Sequence, residues 1–250
     1  TGVHVAGAII GTADATINSI TVGKGANSVS GNTVLGETAL DAAVTGGFNT
    51  AIGRNALTSN TSGTNNAALG NNALKGNTTA SSNTAIGNNA LKLNTTGTQN
   101  TSVGATALQQ NTTAINNTAV GYAALTANTT GNNNSAFGSK ALDANTTASN
   151  NTAVGHRSLR LNTTGTSNSA FGTYALQANT TGLENVAVGT NCLDANTTGF
   201  DNTAGGHGSL GENTTGAYNT ANGTFALNAN TTANNNTAVG YGSLRANTTG

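Results

Sequence analysis

Apolar side chains in this chain fall at fixed places in a cycle of 17 residues that runs without insertion from Asn49 to Gly250. One turn of the cycle, Asn83 to Gln99, reads NTAIGNNALKLNTTGTQ. With each turn numbered 1 to 17, apolar residues concentrate at positions 3, 4, 8 and 9, while Asn, Thr, Ser and Gly dominate elsewhere. Five positions do not vary across the twelve turns: Asn at 1, Gly at 5, Leu at 9, Asn at 12 and Thr at 13. Position 3 is Ala except for Ser102, and position 4 is Ile, Leu, Val or Phe except for Gly205 and Asn222. A fixed short period means a unit that buries its apolar side only against copies of itself, stacked along one axis.

The unit reads as β rather than helical. A helix would have to carry a Gly and two Thr in every cycle, against propensity, whereas Asn-Thr-Thr-Gly is turn chemistry. The pattern predicts an all-β fold: a parallel β-solenoid or β-roll of 17-residue coils, each with two short strands and two turns. Thirteen coils at the strand spacing of roughly 4.8 Å form a rod of about 60 Å. Strand alternation predicts that position 4 points into the core along with position 2. Ala at 3 and Gly at 5 (Gly53, Gly70, Gly87 and onward) then make a flat outer face. The Leu column at position 9 (Leu57, Leu74, Leu91 and onward) is expected to fill the core from the second strand. Two sizeable apolar side chains per coil contribute roughly 2 kcal/mol each, little against an ordering cost of roughly 1–2 kcal/mol per residue. Association with further chains is therefore expected, with the Ala/Gly face as the contact. The Asn columns at position 1 and at position 12 (Asn60, Asn77, Asn94 and onward) predict amide ladders along the axis.

Residues 32–48, NTVLGETALDAAVTGGF, are a degenerate copy in register, so the solenoid is expected to span 32–250 as thirteen repeats, the last cut short. Residues 1–31 lack the period and read as a junction segment, with a first, shorter β-coil over 18–31. The chain starts at Thr1 rather than Met and ends inside a repeat, which suggests a portion of a longer polypeptide.

Charged residues make up 6% of the chain and the net charge is zero. Such a surface has no electrostatic pull on nucleic acid or anionic lipid, and the absence of Trp leaves little for base stacking. No apolar run approaches the roughly 18 residues of a membrane span. Cys192 sits at position 8, otherwise Ala or Ser, and reads as a small buried hydrophobe. His156 and His207 share position 6 three coils apart, about 14 Å, too far for a common zinc with ligands at about 2.1 Å; His4 is isolated. Asp143 and Asp194 are likewise three coils apart, and Glu184 and Asp201 are adjacent on a turn without a base partner. No catalytic, cofactor or metal site follows from these residues. Position 12 opens Asn-Thr-Thr sequons, for which turn and ladder roles are the simpler account. Gly205 and Asn222 break position 4 near Leu183, Phe200, Tyr218 and Phe225. Either these turn residues fold in to fill the gaps, or they form a shallow contact patch for a glycan or partner.

The pattern N-[TS]-A-[VI]-G-x-x-[AS]-L-x-x-N-T-T-G resembles repeats in phage tail fibres and related bacterial surface proteins, often those ending in an endosialidase-type chaperone domain. The run Ala15 to Gly36 looks like the lead into such repeats. More distantly, Thr-Ala-Val-Gly is similar to the repeats of trimeric autotransporter adhesin heads, β-rolls with a period of about 14. The resemblance covers residues 15–250. It implies a homotrimeric extracellular shaft without catalytic residues or cofactors, located on a virion or cell surface. Its partners would be itself, other fibre or virion proteins, and a host glycan or receptor at the tip. Two further readings are an adhesin-like binding head and an ice-binding solenoid. The latter would use the Thr columns at 13 and 14, whose side chains are expected on opposite faces.

Overall fold

The computed structural model describes residues 14–248, so His4 and the first 13 residues of the junction segment lie outside the described residues. The chain is a β-solenoid, with fifteen strands in one sheet in strict sequence order. From β3 (Thr33–Gly36) through β4 (Thr50–Ile52) to β15 (Thr237–Val239), each strand pairs in parallel with the next. Registers advance by one period: Thr118, Ala119 and Val120 face Ser135, Ala136 and Phe137. Most of these strands are only three residues long. Helix among the described residues is limited to a 3-10 turn at Ala26–Ser28.

The start of the sheet differs from a first parallel coil. β1 (Ala15–Ile17) and β2 (Ile20–Gly23) form an antiparallel hairpin, and β2 runs antiparallel to β3. Asn18 and Ser19 both have positive φ, 49° and 66°, which gives the two-residue turn whose twist suits a hairpin. The hairpin covers the edge that β3 would otherwise present to solvent.

The face assignment is inverted relative to the sequence expectation. Position 3 is buried in every coil, as Ala except for Val34 and Ser102, whereas the large apolar residue at position 4 points outward, as at Leu69 (46% exposed) and Phe137 (43%). In the regular coils the interior holds one large side chain per turn, while the degenerate coil at 32–48 also buries Val34 and Val44 beside Leu40. Fully buried Leu at position 9, from Leu40 to Leu227, occupies the interior, and Ala at 3 with Ala, Ser or Cys at 8 packs around it.

Nor does that Leu come from a second strand. Positions 7 and 9 both adopt the left-handed conformation, as in Thr106 (φ 59°) and Leu108 (φ 49°), and this breaks extended backbone. The stack continues there without strand geometry, because Leu108 N–H donates to Ala124 O at 3.0 Å. Left-handed Leu is costly, by roughly 1–2 kcal/mol, and burial of the side chain offsets it.

Position 5 requires Gly for a separate reason. Its φ lies between 116° and 141° in the regular coils, and from Gly53 to Gly223 an added Cβ would strike the backbone of the next coil.

The amide ladder at position 12 is unbroken from Asn60 to Asn230, and that at position 1 lacks one side-chain rung, at Asn151, where the backbone N–H alone donates to Asn134 Oδ1. At position 1, Asn66 Nδ2 donates to Asn49 Oδ1 (3.1 Å) and to Ala80 O (2.9 Å), while its backbone N–H also donates to Asn49 Oδ1 (3.0 Å). At position 12, Asn77 Nδ2 donates to Asn60 Oδ1 (2.9 Å) and Ala80 O (3.0 Å). A third, partial ladder joins Asn55, Asn72 and Asn89 at position 7, with Asn55 Nδ2 donating to Asn72 Oδ1 and Asn72 Nδ2 to Asn89 Oδ1, both at 3.0 Å. It stops at Thr106, a β-branched residue in the left-handed region, where such residues are outliers. Replacing Thr106→Asn is expected to relieve that backbone and add a rung, raising stability by about 1 kcal/mol. A denaturant midpoint that stays put or falls would count against this account.

Candidate functional surfaces

Cys192, His156 and His207 each have a definite place. Cys192 is fully buried, its Sγ donates to Ala204 O at 3.3 Å, and burial pushes its thiol up to about 12. Ser158 and Ser209, at the same repeat position, donate likewise to Ala170 O and Ala221 O. Cys192 is thus a packing and hydrogen-bonding residue. His156 and His207 stand on the surface, each edge-on to the aromatic ring one coil later: Tyr174 at 5.5 Å and Phe225 at 5.0 Å. Among the described residues, no three His, Cys, Asp or Glu side chains gather as a metal site requires, and no helix is long and apolar enough to cross a membrane.

The sequon amides of Asn60, Asn77 and Asn94 are fully buried in the ladder, so the folded coil gives a glycan no room. The Thr columns do not make a flat pair. Thr hydroxyls at 13 donate to the next coil's carbonyl, as Thr78 does to Thr95 O at 3.2 Å, and most of that column is half-buried, whereas the described position-14 residues are exposed.

The four residues Leu183, Phe200, Tyr218 and Phe225 do not form one patch. Leu183, Phe200 and Tyr218 sit on the turn before the strand, with Phe200 and Tyr218 edge-to-face at 5.1 Å. Phe225 lies on the turn after it. None of them fills a void beneath Gly205 or Asn222, since position 4 faces outward and its loss leaves the core intact.

That outward column is the surface that alternation misassigned. Leu35, Leu69, Ile86, Phe137, Phe171 and Val188 are large, apolar and exposed, with Ile52, Val103, Val120 and Val154 partly so between them. They stack rung on rung along one side of the sheet, and Gly205 and Asn222 interrupt the column near its far end. At the other end it continues into a groove of about 480 Å³ lined by Ile20, Leu35, Ile52 and Arg54.

A second concavity, about 290 Å³, opens where Gly208 and Gly211 replace side chains at positions 7 and 10. Asp194, His207, Glu212 and Phe225 border it. Burial pushes the Asp194 carboxyl up, backbone N–H groups and His207 oppose the shift, and Glu212 adds to it.

Architecture and surfaces together define a β-solenoid repeat protein with one apolar outer column. Comparison with protein-family models, curated proteins and solved structures gives no match.

Proposed function

We propose that this chain is a non-enzymatic shaft segment of an extracellular appendage of the phage tail fibre type, in which identical copies associate as a homotrimer to hold a host-binding tip. The observation that carries this reading is the outward apolar column. A contiguous apolar surface of this kind on a soluble chain marks an interaction site. Its elements repeat at every strand, so only a partner with the same axial repeat can cover each rung, and a second copy of this chain has that repeat. Closed symmetry then seals the columns around one axis. The likeness of the repeat to fibre and adhesin-head sequences supports three copies. The Ala/Gly contact is replaced in this reading, because Ala at 3 belongs to the core.

The test is oligomeric mass by light scattering. The native chain is expected to be a trimer. Phe137→Lys with Phe171→Lys is expected to give a monomer that keeps its β circular dichroism, since both side chains point away from the core. A native monomer overturns the assembly, and a trimer indifferent to both lysines overturns this face.

A further inference from the structure

We propose that the notch floored by Gly208 and Gly211 binds the guanidinium group of an organic cation. The chain contains its own filled version of this site. Three coils earlier the same repeat positions carry Asp143, His156, Arg157, Arg160 and Tyr174 where the notch has Asp194, His207, Gly208, Gly211 and Phe225. In the filled version Arg160 Nε reaches Asp143 Oδ2 at 4.0 Å, the acid of one coil facing the base of the next. The His–aromatic contact is preserved in both, His156 on Tyr174 and His207 on Phe225. What differs is that both arginine side chains are deleted, which leaves the open volume in the second site.

The vacated space is aimed at the acid. A Cβ on Gly211 would stand 3.5 Å from Asp194 Oδ1, so a side chain growing from that point passes the carboxylate. The closest atom in the way is the end of the flexible Asn228 side chain, whose Nδ2 donates to Gly208 O at 2.8 Å, and Gly208 O itself would stand 3.2 Å from that Cβ. Phe225 lies against Gly208, and an arginine, Arg245, already stacks on its ring at 4.8 Å. Asp194 has no ion-pair partner among the described residues, whereas Lys140 and Arg160 both act on Asp143. A planar cation fits because it supplies the charge that Arg160 places opposite Asp143 in the sibling coil, and its flat face suits an aromatic ring such as Phe225. Glu212, where the sibling has Leu161, adds negative charge at the rim.

Agmatine is the probe, with maltose as a neutral comparison, titrated into the native chain and followed by amide chemical shifts. Saturable agmatine binding is expected, with shifts centred on residues 194–212. Gly211→Arg, which rebuilds the sibling arrangement, is expected to weaken agmatine roughly tenfold or more, as is the shape-preserving Asp194→Asn, this being the scale of one charge-assisted hydrogen bond. If Gly211→Arg fails to fold, Asp194→Asn decides alone. Absence of saturable agmatine binding overturns the proposal. So does binding that both variants leave unchanged, or maltose binding in place of agmatine.

Discussion

Gly121→Ala is expected to destabilise the chain by at least about 3 kcal/mol, although it adds a single methyl group. Gly121 has φ 136°, a region essentially closed to residues with a side chain. The added Cβ would also sit 2.6 Å from both the carbonyl carbon and oxygen of Gly138, backbone atoms that cannot swing aside. Relief would require the coil beginning at Asn117 to lift from the coil beginning at Asn134. In a one-dimensional stack each coil is held by its neighbours, so the melt is expected to split into two transitions on either side of the substitution. Position 15 provides the contrast. An added Cβ at Gly131 would also crowd Ala148 O, yet Ala80, Ala114 and Ala148 occur naturally at that position, where the backbone is not left-handed. Gly131→Ala is therefore the control, and a Gly121→Ala midpoint within error of it would refute the account.

Asn128 should be nearly as intolerant. Its fully buried side chain donates to Asn111 Oδ1 (3.1 Å) and Gly131 O (3.0 Å) and accepts from Asn145 Nδ2 (2.8 Å). Asn128→Ala leaves buried partners unpaired and is expected to cost about 4 kcal/mol, at about 1–3 kcal/mol for each unsatisfied group. Asn128→Asp is isosteric but worse at neutral pH. It places a carboxylate without its two donated bonds against two oxygen acceptors in a dry core. Both burial and the acceptors would raise the folded-state pKa of that acid above its unfolded value. Stability is then lost as pH rises from the unfolded pKa through the folded one, and partly returns on acidification, when the protonated oxygen can donate one bond. Chemical unfolding at neutral and mildly acidic pH checks the order. Equal stability of Asp and Asn variants at neutral pH would remove the ladder from the list of stabilising features.

The period and the β character were legible because they rest on signals that repeat in every coil: invariant Gly and Leu, and turn-forming Asn-Thr-Thr. Which way the strand faces was not legible. A three-residue strand offers one alternation, and hydrophobicity alone prefers Val over Ala for the core. Cross-sectional room reverses that preference in the regular coils, where Leu108 fills the interior and Ser102 or Ala119 takes the space opposite; the degenerate first coil alone has Val34 there. The supposed second strand failed at Thr106 and Leu108, residue types that seldom adopt a left-handed backbone and so carry no sequence mark of it. The notch could have been found in the sequence by setting His156-Arg157 beside His207-Gly208 at the same repeat positions. The contact that gives this comparison meaning, Arg160 with Asp143, is visible only once the coils are stacked.

The strict register from β3 to β15 carries a combinatorial cost. Sliding one stretch of the stack by a whole period puts Leu on Leu and Asn on Asn, so slipped arrangements differ in energy mainly by the rungs lost at the ends. The same holds between copies lying side by side, which could dock one strand spacing out of step with little penalty. A perfectly uniform ruler cannot be aligned by its graduations. The marks that single out one alignment are the irregular ones: the antiparallel hairpin at residues 15–23 and the interruption of the outer column at Gly205 and Asn222. Departures from the repeat thus act as its index, and making those coils regular would lower the specificity of assembly while leaving each coil as stable as before.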